Sequence, residues 1–320
     1  MNERVKPTIL VTGATGFIGS ALCAKLAGLN FKLIRAVRTG LSSDRTVVIG
    51  SIDGSTDWTD ALQGVDTVIH CAARAHIMID TANDPLQEFR KVNTEACLNL
   101  ARQAGSMGVK RFIFLSSIKV NGEETPLGQP YTAEQVPATV DPYGISKREA
   151  EEALHELSRL SGMEIVIIRP PLVYGPGVKG NFQSMMNWLT RGIPLPLASI
   201  KNQRSLVAVD NLVDLIITCI SHPAAANQTF LVSDGEDLST PELLQRTASA
   251  IGRPARLFSV PDWLLRVAAN VLGKKTTYQK LCTSLQVDIA KTRTILGWTP
   301  PVKLDQALQS TAKTFLKAAK

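Results

Sequence analysis

Tyr143 and Lys147 stand four residues apart in Tyr143-Gly144-Ile145-Ser146-Lys147, a spacing that puts both side chains on one face of a helix beginning there. A phenol titrates near 10 and is a poor base at neutral pH. A lysine ammonium one turn away favours the phenolate and poises it for proton exchange. Upstream, Leu115-Ser116-Ser117 follows an apolar run, and the Ser117 hydroxyl is expected to aim at the same site. Such a pair is common by chance, so its meaning depends on what surrounds it.

A second constellation supplies that context. Thr12-Gly13-Ala14-Thr15-Gly16-Phe17-Ile18-Gly19 carries glycines at spacing three and three, directly after the apolar run Thr8-Ile9-Leu10-Val11-Thr12. Gly13 permits a tight turn, Gly16 lets backbone approach a pyrophosphate, and Gly19 allows close packing of helix on sheet. The helix N-terminus that follows offers free N–H groups and a partial positive charge. At a first strand-to-helix junction this pattern points to a dinucleotide. The end of the second strand, where an acid would bind the ribose 2′-OH of NAD, holds Arg38, with Arg35 nearby and no acid. An arginine pairs well with a 2′-phosphate, which favours NADP. Arg38 stacked on adenine, with the 2′-OH left in water, would instead allow either nucleotide.

Short apolar segments at 8–12, 31–37, 67–70, 111–115 and 164–168 read as buried strands. Helices are expected over 17–29, 86–106 and 146–160, giving βαβ units around a parallel sheet. After Arg169, prolines and glycines from Pro170 to Pro196 mark a change of texture. The expected fold is α/β: a Rossmann-type doubly wound parallel sheet over 1–170, with 205–235 returning to it, and a smaller α/β substrate-binding domain over 171–320.

The 320 residues can bury a core without disulfides or metal staples. With 44% hydrophobic and 20% charged residues, disordered and collagen-like chains are excluded. Cys23, Cys71, Cys97, Cys219 and Cys282 form no CxxC pair, and are expected to be small apolar groups in a reducing cytoplasm. The first seven residues lack the apolar run of a signal peptide, and no stretch is long enough to span a membrane. A soluble cytoplasmic protein is expected. His70, His76, His155 and His222 show no ligand spacing, and no metal is expected. The net charge of +7 is unevenly placed. Residues 248–320 carry twelve basic and three acidic side chains, +9, which leaves −2 for the first 247. The basic part lacks the aromatic interleaving and motifs of nucleic-acid modules. Within it, residues 261–275 are amphipathic and basic, as either a packed lid helix or a helix lying on a membrane surface would be.

Together, the glycine turn, Ser117, Tyr143 and Lys147 closely resemble the extended short-chain dehydrogenase/reductase family (the NAD-dependent epimerase/dehydratase group), whose members act mainly on nucleotide sugars. The likeness runs over essentially the whole chain. It implies that Tyr143 is the acid/base, that Lys147 binds the ribose and lowers the phenol's pKa, and that Ser117 hydrogen-bonds the reacting sugar oxygen. His70-Cys71-Ala72-Ala73 resembles the HxAA stretch along the cofactor, with Arg74 following, and Val92-Asn93 the family's helix-anchoring VN. Arg169-Pro170-Pro171-Leu172-Val173-Tyr174-Gly175-Pro176-Gly177 is similar to the segment at the nicotinamide, and Leu296-Gly297-Trp298-Thr299-Pro300 to a packing motif near the family's C-terminus. On the same basis Thr15, Phe17, Ile18, Ser51, Ile52 and Pro170 are cofactor contacts, while Lys119, Asn181 and Arg204 touch substrate, the last two at its diphosphate. Dimers through a four-helix contact are common in the family, so a homodimer is implied.

Departures from the family pattern refine the chemistry. Ser51 replaces an adenine-binding aspartate, and Asn121 a tyrosine. Ile118 and Lys119 stand where sugar-nucleotide dehydratases carry Asp-Glu, so elimination of water lacks its acid and base. Hydride transfer at one carbinol carbon remains. Arg38 and the local likeness of 116–122, 171–182 and 230–235 lean toward an NAD(P)H-dependent reductase of a UDP-4-keto-6-deoxy-N-acetylhexosamine, for surface polysaccharide (O-antigen) synthesis. The alternative is a UDP-hexose or UDP-N-acetylhexosamine 4-epimerase that retains NAD. A non-catalytic NADP-sensing regulator would also use this sheet, although such a protein need not keep Tyr143, Lys147 and Ser117.

Overall fold

The computed structural model describes residues 6–75 and 84–318. The first five residues, part of the segment read as free of a signal peptide, lie outside them, as does His76. β1 (Thr8–Thr12) enters the glycine turn and α1 (Phe17–Ala27). β2 (Lys32–Val37), β3 (Thr46–Val48), α2 (Thr59–Leu62) and β4 (Thr67–His70) follow. Then come α3 (Pro85–Arg90), a π turn over Lys91–Glu95, α4 (Ala96–Ser106) and β5 (Arg111–Leu115). A 3-10 turn at Ile118–Val120 precedes α5 (Pro142–Ser161) and β6 (Glu164–Arg169). The second half contains β7 (Leu172–Tyr174), α6 (Gly180–Thr190), β8 (Arg204–Ala208), α7 (Val209–Ser221), β9 (Gln228–Leu231) and β10 (Asp237–Leu238). It continues with α8 (Thr240–Ile251), α9 (Asp262–Val271), α10 (Lys275–Cys282), α11 (Ala290–Leu296) and α12 (Leu304–Ala318).

Seven strands pair in the order β3-β2-β1-β4-β5-β6-β9, and every pair is parallel. The order reverses between β1 and β4, which opens a crevice at their C-terminal ends, the usual ligand position of a Rossmann-like sheet. Alternation along the strands feeds two cores. Ile9, Val11, Ile113, Leu115, Val166 and Ile168 face α1 and α7. Leu10, Phe112, Phe114, Ile165 and Ile167 face α2, α4 and α5. A third core joins α6, α8 and α12 beneath the small sheet β10-β8-β7.

Three sequence expectations are corrected. Of residues 205–235, β9 joins the large sheet against β6 and α7 packs on its face, but β8 pairs with β7 and β10 instead. The helix expected over 86–106 is interrupted at Lys91–Glu95, where the widened π turn sinks the buried Asn93 amide toward neighbouring backbone. The helix expected from 146 begins four residues earlier. Asp141 caps it by accepting from the Gly144 N–H at 2.9 Å, and Pro142 occupies its first turn.

Arg111, 6% exposed at the start of β5, fastens α7 to the sheet. Its guanidinium donates to the carbonyls of Cys219, Ile220 and His222 at the end of α7, and also pairs with Glu164 at 2.5 Å. The Cys219 and Ile220 carbonyls lie in the last turn, where helical donors run out, and the buried cation satisfies them; the His222 carbonyl also accepts from the Ala225 N–H at 3.1 Å. Arg111→Met should therefore lower unfolding free energy by about 3 kcal/mol, read as a shifted urea midpoint. A midpoint within error of the parent would show that water replaces the guanidinium without cost.

Candidate active site

α5 is pressed against the 3-10 turn after β5. A Cβ on Gly144 would stand 2.6 Å from the Lys119 carbonyl oxygen and 2.3 Å from Thr139 Oγ1, so only glycine permits this approach. The contact carries Tyr143 to the end of β5, where its phenol lies beside the Ser117 side chain. One turn on, the Lys147 ammonium donates to the Leu115 carbonyl at 2.8 Å and lies 4.2 Å from the Phe114 ring centroid. One further turn places Glu151 on the same face. Its buried carboxylate takes Arg169 bidentately (Nε–Oε1 3.0 Å, Nη2–Oε2 2.5 Å) and accepts from Ser116. Arg169 also donates to Asn121 Oδ1 at 2.9 Å, giving the asparagine that replaces a family tyrosine a definite partner.

Burial dominates the electrostatics. It pushes Lys147 down to about 8, with the Glu151 carboxylate opposing the fall. It holds the Tyr143 phenol above its ordinary value, with Asp141 adding to the rise and the Ser117 side chain opposing it. Lys147 was expected to lower the phenol. In this structure its charge points to Leu115 instead, and desolvation of the phenol wins.

The glycine turn fits a dinucleotide. A Cβ on Gly13 would meet Ala72 N at 2.7 Å, and one on Gly19 would meet the Gly13 oxygen at 2.1 Å. The turn is thereby pressed between helix and β4 with backbone facing the crevice. Gly16 caps α1, no side chain occupies its N-terminus and its first turn holds no acid, so its N–H groups are available to an anion. Thr15 is exposed beside them, while Phe17 and Ile18 are half-buried. Arg38 is exposed just past β2, whereas Arg35 donates to Thr46 across to β3 at 3.0 Å. Ser51 donates to Asp53, which Ser55 and Ser51 hold down at about 2, and Ile52 is half-buried beside them. Ala72 and Ala73 follow β4 at the crevice. Asn93 does not open toward it: its side chain bonds both backbone groups of Arg74 and the Ser146 hydroxyl, tying this loop to α5. Pro170 is buried and accepts from the Ile118 N–H. His70 is buried, bonded to Thr12 at 2.8 Å and packed on Phe112 and Phe114; burial lowers it to about 3, so it stays neutral.

The substrate residues diverge. Lys119 is already paired with Asp141 (3.1 Å) and Glu123 (3.2 Å), so its cation is committed to positioning the start of α5. Asn181 is exposed in the first turn of α6. Arg204 is half-buried and donates to the Thr283 carbonyl at 2.8 Å, without a carboxylate partner among the described residues. Such a cation suits an incoming anion. No group of His, Cys, Asp and Glu among the described residues could hold a metal. Sequence reasoning missed Glu151 and Asp141. The first stands at the third place of the 143, 147, 151 face, and the second is an acid directly before Pro142; both signals were available.

The chain matches the NAD dependent epimerase/dehydratase family over residues 9–233 and belongs to it. It is 48% identical to a UDP-glucose 4-epimerase from Vibrio cholerae, covering 99% of this chain and 98% of that one. It is 27% identical to an N-acetyl-alpha-D-glucosaminyl-diphospho-ditrans,octacis-undecaprenol 4-epimerase from Escherichia coli O157:H7, over 100% and 98% of the two chains. Among solved structures, UDP-glucuronic acid 4-epimerase from Bacillus cereus in complex with NAD superposes with a TM-score of 0.77 at 21% identity, covering 98% of this chain and all of that one.

Lys147 generates a pH prediction. Between about 8 and the ordinary 10.5, the unfolded chain carries a proton on this lysine that the folded chain has released. Stability from this group therefore rises with pH across that window, and the cost of burying the charge is fully present below it. Relative to the parent, Lys147→Met should be most favourable near pH 7.5 and lose that advantage toward pH 10. Denaturant titrations of both proteins across this range check it; a pH-independent difference would place the lysine charge in water.

Proposed function

We propose that this chain is a nucleotide-sugar 4-epimerase acting on a UDP-hexose or UDP-N-acetylhexosamine with a retained nicotinamide dinucleotide. The 48% identity with the Vibrio cholerae UDP-glucose 4-epimerase, sustained over nearly both full chains, carries this reading. A bound nicotinamide supplies reversible hydride acceptance at C4 and a positive charge near the phenol. Tyr143 takes the C4 hydroxyl proton during oxidation and returns it during reduction, so no net redox change or added cofactor is required. Ser117 holds the same oxygen through its hydroxyl. Lys147, fixed by Leu115 and Phe114, holds the ribose beside it. Arg204 and Asn181 bind the diphosphate. Dehydration has no support: Ile118 is buried and apolar, and the nearby carboxylates Asp141 and Glu123 are both engaged by Lys119.

Arg38 favours a second reading, the NADPH-dependent 4-ketoreductase of a UDP-4-keto-6-deoxy-N-acetylhexosamine, because an exposed guanidinium just past β2 is suited to pairing with a 2′-phosphate. The two readings separate in one experiment. The epimerase interconverts UDP-glucose and UDP-galactose, or the N-acetyl pair, with nothing added, and releases NAD on denaturation. Consumption of NADPH only with the 4-keto sugar would replace it by the reductase. In that case Arg38→Asp should move preference from NADPH toward NADH; an unchanged ratio removes the Arg38 argument.

Tyr143→Phe should slow turnover by about 10²–10⁴-fold with the bound nucleotide retained. Arg204→Met should raise KM about tenfold or more with kcat little changed; a matching fall in kcat at constant KM would place Arg204 at the reacting carbon instead.

A further inference from the structure

α9 is an amphipathic helix mounted with its apolar face outward. Leu265 turns inward against the core of the small lobe, and no residue of the helix is fully buried. The opposite face presents Trp263, Val267 and Val271 at successive turns, flanked by Leu264 and Leu272, with exposures from 44% to 80%. Phe258 is a further exposed apolar side chain shortly before the helix. It lies in an extended segment whose Leu257 packs inward, so Arg256 shares the outward side with Phe258. A contiguous exposed stripe of this kind marks an interaction surface rather than chance exposure.

Its surroundings identify the occupant. Residues 253–282 contain six basic side chains and one acid, Asp262, whose carboxylate is taken by the Tyr278 hydroxyl. None of the six forms an ion pair among the described residues. Arg253 and Arg256 also line a cleft with Arg191. A second copy would bring the same positive segment face to face with itself, which repels. A surface that is apolar within and negative at its rim complements the patch, and an anionic bilayer is such a surface.

We propose that α9 is an interfacial helix that docks on an anionic lipid bilayer. Trp263, Val267 and Val271 enter the headgroup–acyl boundary, while Arg266, Lys274 and Lys275 lie over the lipid phosphates. α9 packs on α10, and the carbonyl of Thr283 directly after α10 holds Arg204. Docking therefore brings the candidate diphosphate site close to the membrane. No helix among the described residues is long and apolar enough to cross a bilayer, so attachment is peripheral and salt-sensitive.

The test is flotation of the full chain with vesicles of phosphatidylcholine containing phosphatidylglycerol, against phosphatidylcholine alone, at low and high salt. The parent should float with the anionic vesicles at low salt and detach at high salt, with Trp263 emission shifting to the blue. Lys274→Glu/Lys275→Glu should weaken binding about tenfold or more, and Val267→Glu/Val271→Glu should abolish it. Both variants should keep the parent's far-ultraviolet dichroism and melting temperature. Absence of flotation at low salt overturns the proposal, as does flotation that survives Val267→Glu/Val271→Glu. A concentration-dependent dimer broken by that variant, in a protein that ignores vesicles, would reassign the face to a second copy.

Discussion

The buried carboxylate of Glu151 is the constraint on which the rest of the site depends. Two charges removed from water hold together only if each finds nearly all its hydrogen bonds. Here Arg169 brings two donors and Ser116 a third. Ser116 follows β5, Arg169 ends β6, and Glu151 lies in the middle of α5. Their meeting fixes how far α5 is rotated about its axis and how far it is slid along the sheet. Tyr143 and Lys147, two turns and one turn earlier on the same face, inherit that setting. Asn121 takes the remaining reach of Arg169 and secures the turn that follows Ser117.

A second restraint works from the other end of the helix. Asp141 caps α5 and accepts from Lys119, while Gly144 lets the first turn come down onto the Lys119 carbonyl. Helix α5 is thus pinned at its start and its middle, with the phenol and ammonium between. The remaining chemistry concerns water. Both groups are desolvated, so each resists its charged form; a cation beside them would favour the phenolate and further oppose the ammonium. The phenol's direction of shift in this chain alone runs against what a lysine at four-residue spacing suggests.

Much of this was legible in the sequence. Glycines at 13, 16 and 19 after a buried strand specified the turn because only a missing Cβ lets that backbone meet β4. The 143/147 spacing specified a shared helix face because helical periodicity leaves no alternative. What escaped depended on long-range contact. Arg111 reads as a strand-initial charge until α7 returns to place three carbonyls on it. Lys119 reads as a free cation until Asp141 arrives from 22 residues away. The apolar side of α9 reads equally as a packing face or a membrane face until the fold turns it outward. The π turn at Asn93 is invisible to a 3.6-residue period, since it serves partners on a separate loop and helix. Strand β8 has the alternation of a sheet member, but composition does not say which of two sheets receives it.

The position of β9 has a further consequence, for how the protein is made. The cofactor sheet is not finished when β6 leaves the ribosome, because its last strand arrives only at residue 228 and α7, which covers one face, comes just before it. Through that interval β6 is an open parallel edge with apolar residues on both sides, the kind of surface that recruits other chains. Residue 170 is therefore not a place where the chain can be cut. The sheet built up to β6 needs α7 and β9 to close it, and a nascent chain stalled between them would depend on chaperones to stay apart from its neighbours.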